Sequence, residues 1–175
     1  MKRIPIITIA FTALILFAAA LGLNGIAAAN AQAEHLQIMK TRLPGSESFT
    51  VEPYSGEDSN IRSVHKGQSG FVIETVTRGY AGEITMLIGV SNQAQVTGLV
   101  VREMSETPGL GANVLNDHGF LGQFLGSSGD TEVEVNVDAI TGATVTSRAV
   151  ARSVNSAVAY VTGADASSGA TSWGG

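Results

Sequence analysis

The sequence predicts an α+β domain, an antiparallel sheet of four or five strands with two or three packed helices, preceded by one N-terminal transmembrane helix. Three observations carry that expectation. The stretch Ile4–Leu23 runs without a charge. Glu83–Val90 and Val96–Arg102 have strand composition and are joined by the short polar stretch Ser91–Gln95, the pattern of a hairpin. Val145–Val161 repeats apolar residues at helical spacing.

At about 1.5 Å per residue the uncharged stretch reaches about 30 Å, the thickness of a bilayer core. Pro5 lies in its first turn, where a missing N–H costs little. Lys2 and Arg3 precede it, and no Lys or Arg follows until Lys40. The positive-inside rule therefore puts residues 1–3 in the cytoplasm, residues 4–23 across the cell membrane, and everything after Asn24 outside. A cleaved signal peptide is the competing reading, because Ala27–Ala33 (AAANAQA) offers A-x-A sites. Its apolar core is typically only about 7–15 residues, shorter than this stretch. Both readings make the domain extracytoplasmic.

Residues 24–60 are expected to connect anchor and domain. Ala27–Met39 reads as a helix ended by Leu43-Pro44-Gly45. Ser46–Asn60 is polar, a loop with a short strand around Phe49–Val51. The domain proper is expected over 61–161. Ile61–Lys66 reads as an edge strand and Phe71–Arg78 as a further strand rich in β-branched residues. Val114–Leu125 has helical spacing, weakened by Gly119 and Gly122. Thr131–Val137 alternates Val133, Val135, Val137 with Glu132, Glu134, Asn136 and predicts a half-buried strand. In Val145–Val161 the stripe is Val150, Val154, Ala157, Val158 and Val161, with Arg148, Arg152 and Asn155 facing elsewhere. Residues 162–175 are Gly/Ser/Ala-rich and read as a flexible tail.

Composition narrows the function. The 175 residues hold one domain plus an appendage. Only 14% are charged, against about 25% in ordinary soluble domains, which fits membrane attachment. There is no cysteine, which excludes disulfides, CxxC redox pairs and Cys-held iron–sulfur clusters. His35, His65 and His118 are scattered, and no metal site is expected. The net charge is −5, and an acidic domain repels phosphate backbones, so no nucleic-acid partner is expected.

The chemistry concentrates at Val137–Ser147, V-D-A-I-T-G-A-T-V-T-S. Hydroxyls at Thr141, Thr144, Thr146 and Ser147 crowd a strand-to-helix turn. Two readings stand. One is ordinary N-capping, worth about 1 kcal/mol, for which a single Thr suffices. The other is an anion cradle, because Gly142 and Ala143 clear space where first-turn N–H groups point outwards. Two more clusters, Gly79-Tyr80-Ala81-Gly82 and Glu106-Thr107-Pro108-Gly109-Leu110-Gly111, read as tight connections. Neither is a P-loop or a dinucleotide fingerprint.

The order GYAG, ETPGLG, DAITGATVTS closely resembles the FMN-binding domain proteins of the Rnf and Nqr membrane redox complexes, over roughly Ile61–Val161. In that family a flavin transferase splits FAD and leaves FMN esterified through its phosphate to the last Thr of an [ST]GAT motif. The resemblance implies Thr144 as that covalent site, with Asp138, Thr141, Gly142 and Ala143 completing the transferase recognition sequence. It implies that Tyr80 and Glu106, Thr107, Pro108, Gly109 and Leu110 lie beside the flavin. Thr146 and Ser147 join the cofactor-binding set at the helix start, and Arg148 lies one turn on, within reach of a phosphate or merely solvated. No catalytic residue of the chain's own is expected, because the flavin carries the electron chemistry.

The resemblance implies a membrane-anchored electron-transfer subunit with covalent FMN, like the flavin-bearing member of a Rnf-type ion-translocating ferredoxin:NAD oxidoreductase. The short chain leans away from the related Nqr protein, whose extracytoplasmic domain is usually longer. Its partners would be the other membrane and peripheral subunits and a maturing flavin transferase. Two rivals remain: an FMN-domain protein of another extracytoplasmic electron route, and a membrane-tethered binding module without flavin. Flavin fluorescence that survives denaturation separates the last from the others. The tail string Asp165–Thr171 repeats the Asp138–Thr144 spacing, and two readings stand: a chance recurrence in a Gly/Ser/Ala-rich segment, or partial flavinylation of Thr171 beside Trp173.

Overall fold

The structure is a computed structural model that describes residues 27–105 and 116–164. The predicted membrane helix Ile4–Leu23, the motif residues Glu106–Leu110, the start of the predicted helix at Val114, and the tail string with Thr171 lie outside the described residues. Among the described residues no helix is long and apolar enough to cross a membrane. The chain divides into two compact units, Met1–Ile38 and Met39–Gly175. Of the first, residues 27–38 are described and helical; the helix, α1, runs on to residue 42 within the second.

The second unit is built on a five-stranded antiparallel sheet in the order β1-β2-β3-β4-β5. The strands are Thr50–Glu52, Ile61–Lys66, Gly70–Arg78, Glu83–Ser91 and Val96–Met104. Each pairs with its neighbour in sequence, so short connections suffice throughout. Ile61–Lys66 is an interior strand, not the edge strand expected, because Thr50–Glu52 pairs along its other side.

Period-two alternation sorts the side chains onto two faces. Ile73, Thr75 and Thr77 of β3 stand opposite Ile88, Met86 and Ile84 of β4, and all six are buried. The helix Thr144–Thr162 covers this face; it is labelled α3 below, after the short helix α2 at His118–Gly122. Its Val150, Val154 and Ala157 are fully buried, as the predicted stripe requires. Burying one such Val contributes about 1.5–3 kcal/mol. Ala and Ser elsewhere in the interface let helix and sheet approach closely enough to hydrogen-bond. The Thr77 hydroxyl donates to the Ala149 carbonyl at 3.1 Å and pairs with the Ser153 hydroxyl at 2.9 Å. Asn60 Nδ2 donates to the Ser156 hydroxyl at 3.1 Å. Gly163, with φ +69°, ends the helix in the left-handed conformation that Gly adopts without strain.

The opposite face receives the last turn of α1 through two glycines. A Cβ on Gly89 would lie 2.1 Å from the Arg42 carbonyl oxygen, and one on Gly98 3.0 Å from the Arg42 Cα. The Thr97 hydroxyl donates to that same Arg42 carbonyl. Met39 and Leu43 are buried beside it.

Two further sequence expectations need correction. The helix read at Val114–Leu125 is, within the described residues, only the five residues of α2. The Asp117 carboxylate caps it by accepting the Phe120 N–H at 2.9 Å, and the chain turns away after Gly122. Phe120 and Phe124 are still buried, edge to face at 5.3 Å. The second correction is larger: Thr131–Val137 is a looped turn, not a strand. The Glu132 carbonyl accepts the N–H groups of Val135, Asn136 and Val137, which curls the backbone. The Asn136 side chain competes for the groups a ladder would need, accepting from Glu132 N at 2.8 Å and donating to the Asp130 carbonyl. Val133 and Val137 reach the core as the alternation implied, but Val135 is 72% exposed.

Candidate functional site

Helix α3 runs antiparallel to β3. Thr77, near the end of β3, bonds Ala149 and Ser153, whereas Phe71, at its start, meets Tyr160 at 5.6 Å. Thr144 lies five residues before Ala149, about 7–8 Å farther along the axis. It therefore sits at the end of the sheet where β3 turns into β4, the turn Gly79–Gly82. That turn is closed by Gly79 N–H donating to the Gly82 carbonyl at 2.8 Å. Ser105, the residue after β5, arrives at the same place, since a Cβ on Gly82 would be 2.5 Å from Ser105 Cβ. Two of the three sequence motifs thus lie at one end of the sheet.

The turn into α3 is built locally. Ala143 N–H donates to the Ile140 carbonyl at 2.9 Å, and Gly142 takes φ +80° between them. Ser147, fully buried, locks the turn: its hydroxyl donates to the Ala143 carbonyl at 3.0 Å and accepts from Ile140 N at 3.3 Å. Thr144 is half-buried and is the first helical residue, not the cap. Ala143 occupies the cap position and no side chain bonds there, so the capping reading of the hydroxyls fails. Thr146 is 1% exposed, and among the described residues its hydroxyl has no hydrogen-bond partner. Thr141 and Asp138 are exposed. Tyr80 is 72% exposed on its turn.

Electrostatically this helix end is unbalanced. Its first turn carries no acidic residue, so nothing of the helix's own offsets the positive end of its dipole. Arg148 is one turn inside, and Arg152 follows on the same face. The Arg152 guanidinium is pushed below its ordinary value, chiefly by burial and then by the Arg148 charge. It donates to the Arg78 carbonyl at 2.9 Å, tying α3 to the end of β3. An uncapped helix start, an orphaned buried hydroxyl and a nearby guanidinium fit a phosphoryl group.

Two residues here escaped the sequence reading. Gln123 accepts the Asp138 N–H at 2.9 Å and so fastens the motif to the end of α2. Glu134 pairs with Arg148 at 2.8 Å. No motif marks Gln123, and the alternation that includes Glu134 says only that it lies opposite the valines, because each acts across a fold contact. A cavity of about 450 Å³ runs along β5 and α2, lined by Arg42, Leu99, Val101, Met104, His118 and Leu121 among others, and none of the motif residues described above lines it. Among the described residues no three His, Asp or Glu side chains gather to hold a metal ion.

Residues 79–159 match the family model of the FMN-binding domain. The chain is 38% identical over 141 residues to the G subunit of the ion-translocating oxidoreductase complex of Methanosarcina acetivorans, covering 71% of this chain and 73% of that protein. It is 38% identical over 99 residues to the G subunit of the proton-translocating ferredoxin:NAD(+) oxidoreductase complex of Clostridium ljungdahlii, covering 53% of each. With the G subunit of the Na(+)-translocating ferredoxin:NAD(+) oxidoreductase complex of Acetobacterium woodii it shares 39% over 103 residues, 51% of this chain and 47% of that one. The matched regions thus span about half the length of the last two relatives.

Proposed function

The chain belongs to the G-subunit family of ion-translocating oxidoreductase complexes, with an FMN-binding domain, and from that membership we propose that it serves a Rnf-type ferredoxin:NAD oxidoreductase as a membrane-anchored electron-transfer subunit with FMN esterified to Thr144. The observation that carries this reading is the start of α3. A long helix opens on Thr144 with no side-chain cap, no acid in its first turn and a buried hydroxyl, Thr146, without a partner among the described residues. An anion in that position would be stabilised by the exposed N–H groups and the helix dipole.

The residues divide the work. Thr144 Oγ1 would take the FMN phosphoryl group of FAD, AMP leaving as the pyrophosphate bond breaks and the hydroxyl proton passing to solvent. Gly142 and Ala143 keep the approach clear of side chains, and Ser147 holds the turn that presents Thr144. Asp138, exposed and fastened by Gln123, is available to the transferase. Tyr80 offers a ring at the same end of the sheet. FMN, when bound, supplies the electron-transfer chemistry that no side chain here possesses; the protein positions it and excludes loss by dilution.

Intact-mass measurement of the full chain produced with a flavin transferase, followed by peptide mapping, tests the assignment. The peptide containing position 144 should carry one FMN, and Thr144→Ala should lose it. No side-chain bond of Thr144 supports the cap, so the variant should keep its stability within about 0.5 kcal/mol. Normal flavin on that peptide in Thr144→Ala would refute the site.

A further inference from the structure

We propose that Glu134 is a positioning residue for the Thr144 site: its carboxylate holds the Arg148 guanidinium on the helical turn beside Thr144, where it meets the phosphodiester. The proposal rests on the reading that FMN is esterified at Thr144. Thr144 and Arg148 are four residues apart, so their side chains are neighbours on one face of α3. Arg148 Nη2 donates to Glu134 Oε2 at 2.8 Å. A guanidinium carries several donors in a rigid fork, so a carboxylate and a phosphate can share it.

Glu134 reaches Arg148 from the loop that replaces the expected strand. That loop is not free to drift relative to the helix. Thr131 N–H donates to Asn155 Oδ1 at 3.1 Å, and Asn155 Nδ2 donates to the Thr131 carbonyl at 2.9 Å, so α3 itself grips the loop two turns beyond Arg148. Asn136 closes the loop from within. Glu134 then sits at φ +71°, in the left-handed region where Gly is at ease and a longer side chain is strained. A carboxylate kept at a strained position has its use in what it contacts, and Glu134 contacts Arg148.

The charges give the contact a purpose. A cation near the start of a helix faces the positive end of the dipole, and Arg152 one turn on adds repulsion between like charges. The dipole drives Arg148 away from the helix start, whereas Arg152, on the far side of Arg148 from Thr144, pushes it the other way. Glu134 offsets the dipole and fixes a long, rotatable side chain in one direction. Two exposed partners gain little stability from such a bond, so its value lies in placement.

The test uses the flavinylated full-length chain and the ³¹P resonance of its phosphodiester, with flavin content by intact mass. Arg148→Gln should shift that resonance, and Glu134→Gln should shift it in the same direction. Glu134→Gly should also shift it, while the thermal midpoint stays equal to or rises above that of the parent, because the strain is relieved. A resonance unmoved by both Glu134 variants overturns the proposal, whether or not Arg148→Gln moves it. A parent chain whose Thr144 peptide carries no flavin instead overturns the underlying reading, and with it this one; the mass measurement distinguishes the two failures.

Discussion

At the scale of single residues, Thr146 is the clearest case of a side chain that the bare fold does not reward. Its hydroxyl is buried without a partner among the described residues, a state that costs about 1–3 kcal/mol relative to a satisfied group. Thr146→Val keeps shape and branching and removes the orphan. Without flavin this variant should be more stable by about 1 kcal/mol, as an upward shift of the urea midpoint at unchanged slope would report. The hydroxyl-rich string was legible in the sequence as a site of either caps or an anion. What removes the capping reading is where each hydroxyl ends up. Ser147 turns back onto Ala143, Thr146 is buried and unpaired among the described residues, and neither outcome is written in residue type.

Individual elements differ in how openly their sequences declare them. The strands β3 to β5 and the helix α3 stand close to where composition and periodicity put them, because their apolar residues meet one continuous core. The segment Thr131–Val137 misled because alternation of Val with polar residues is equally served by a turn that sends two valines inward. What decided it was Asn136, whose side chain captured backbone groups that a strand partner would have bonded. Gly89 and Gly98 stand inside β4 and β5, where glycine weakens a strand. The reason is the end of α1, and Gly89→Ala tests it. The added methyl would fall 2.1 Å from the Arg42 backbone oxygen, a neighbour that cannot rotate aside. Overpacking of this kind should cost about 1–3 kcal/mol, measured by chemical denaturation.

For the whole molecule, Tyr160 links the last helix to the first strands. Its ring lies edge-on to Tyr54 at 5.9 Å and Phe71 at 5.6 Å, and its hydroxyl donates to Glu52 at 3.0 Å. Burial first, then the Glu52 hydrogen bond and charge, raise its pKa above the ordinary value. A raised folded pKa means a stability contribution that is complete below pH about 10 and is lost as pH climbs past it. The parent should therefore lose stability more steeply than Tyr160→Phe above pH about 10, in melts taken across that range. Membrane topology is testable at the same scale. A cysteine at exposed Ser55 should react with an impermeant thiol reagent in intact cells if the domain is extracytoplasmic; labelling only after lysis would reverse the orientation. The nearest-neighbour order of the sheet has a kinetic consequence. Every strand pairing is local in sequence, whereas Tyr160 must find Glu52 across 108 positions and Ser153 must find Thr77 across 76. Loop-closure entropy then favours a refolding route in which the β3–β4 hairpin forms in the transition state and α3 docks late. Ile88→Val should chiefly slow refolding, and Val154→Ala should chiefly speed unfolding. On that route a nascent chain displays Asp138–Thr144 as an open peptide for some time before the helix start that would grip a phosphate exists.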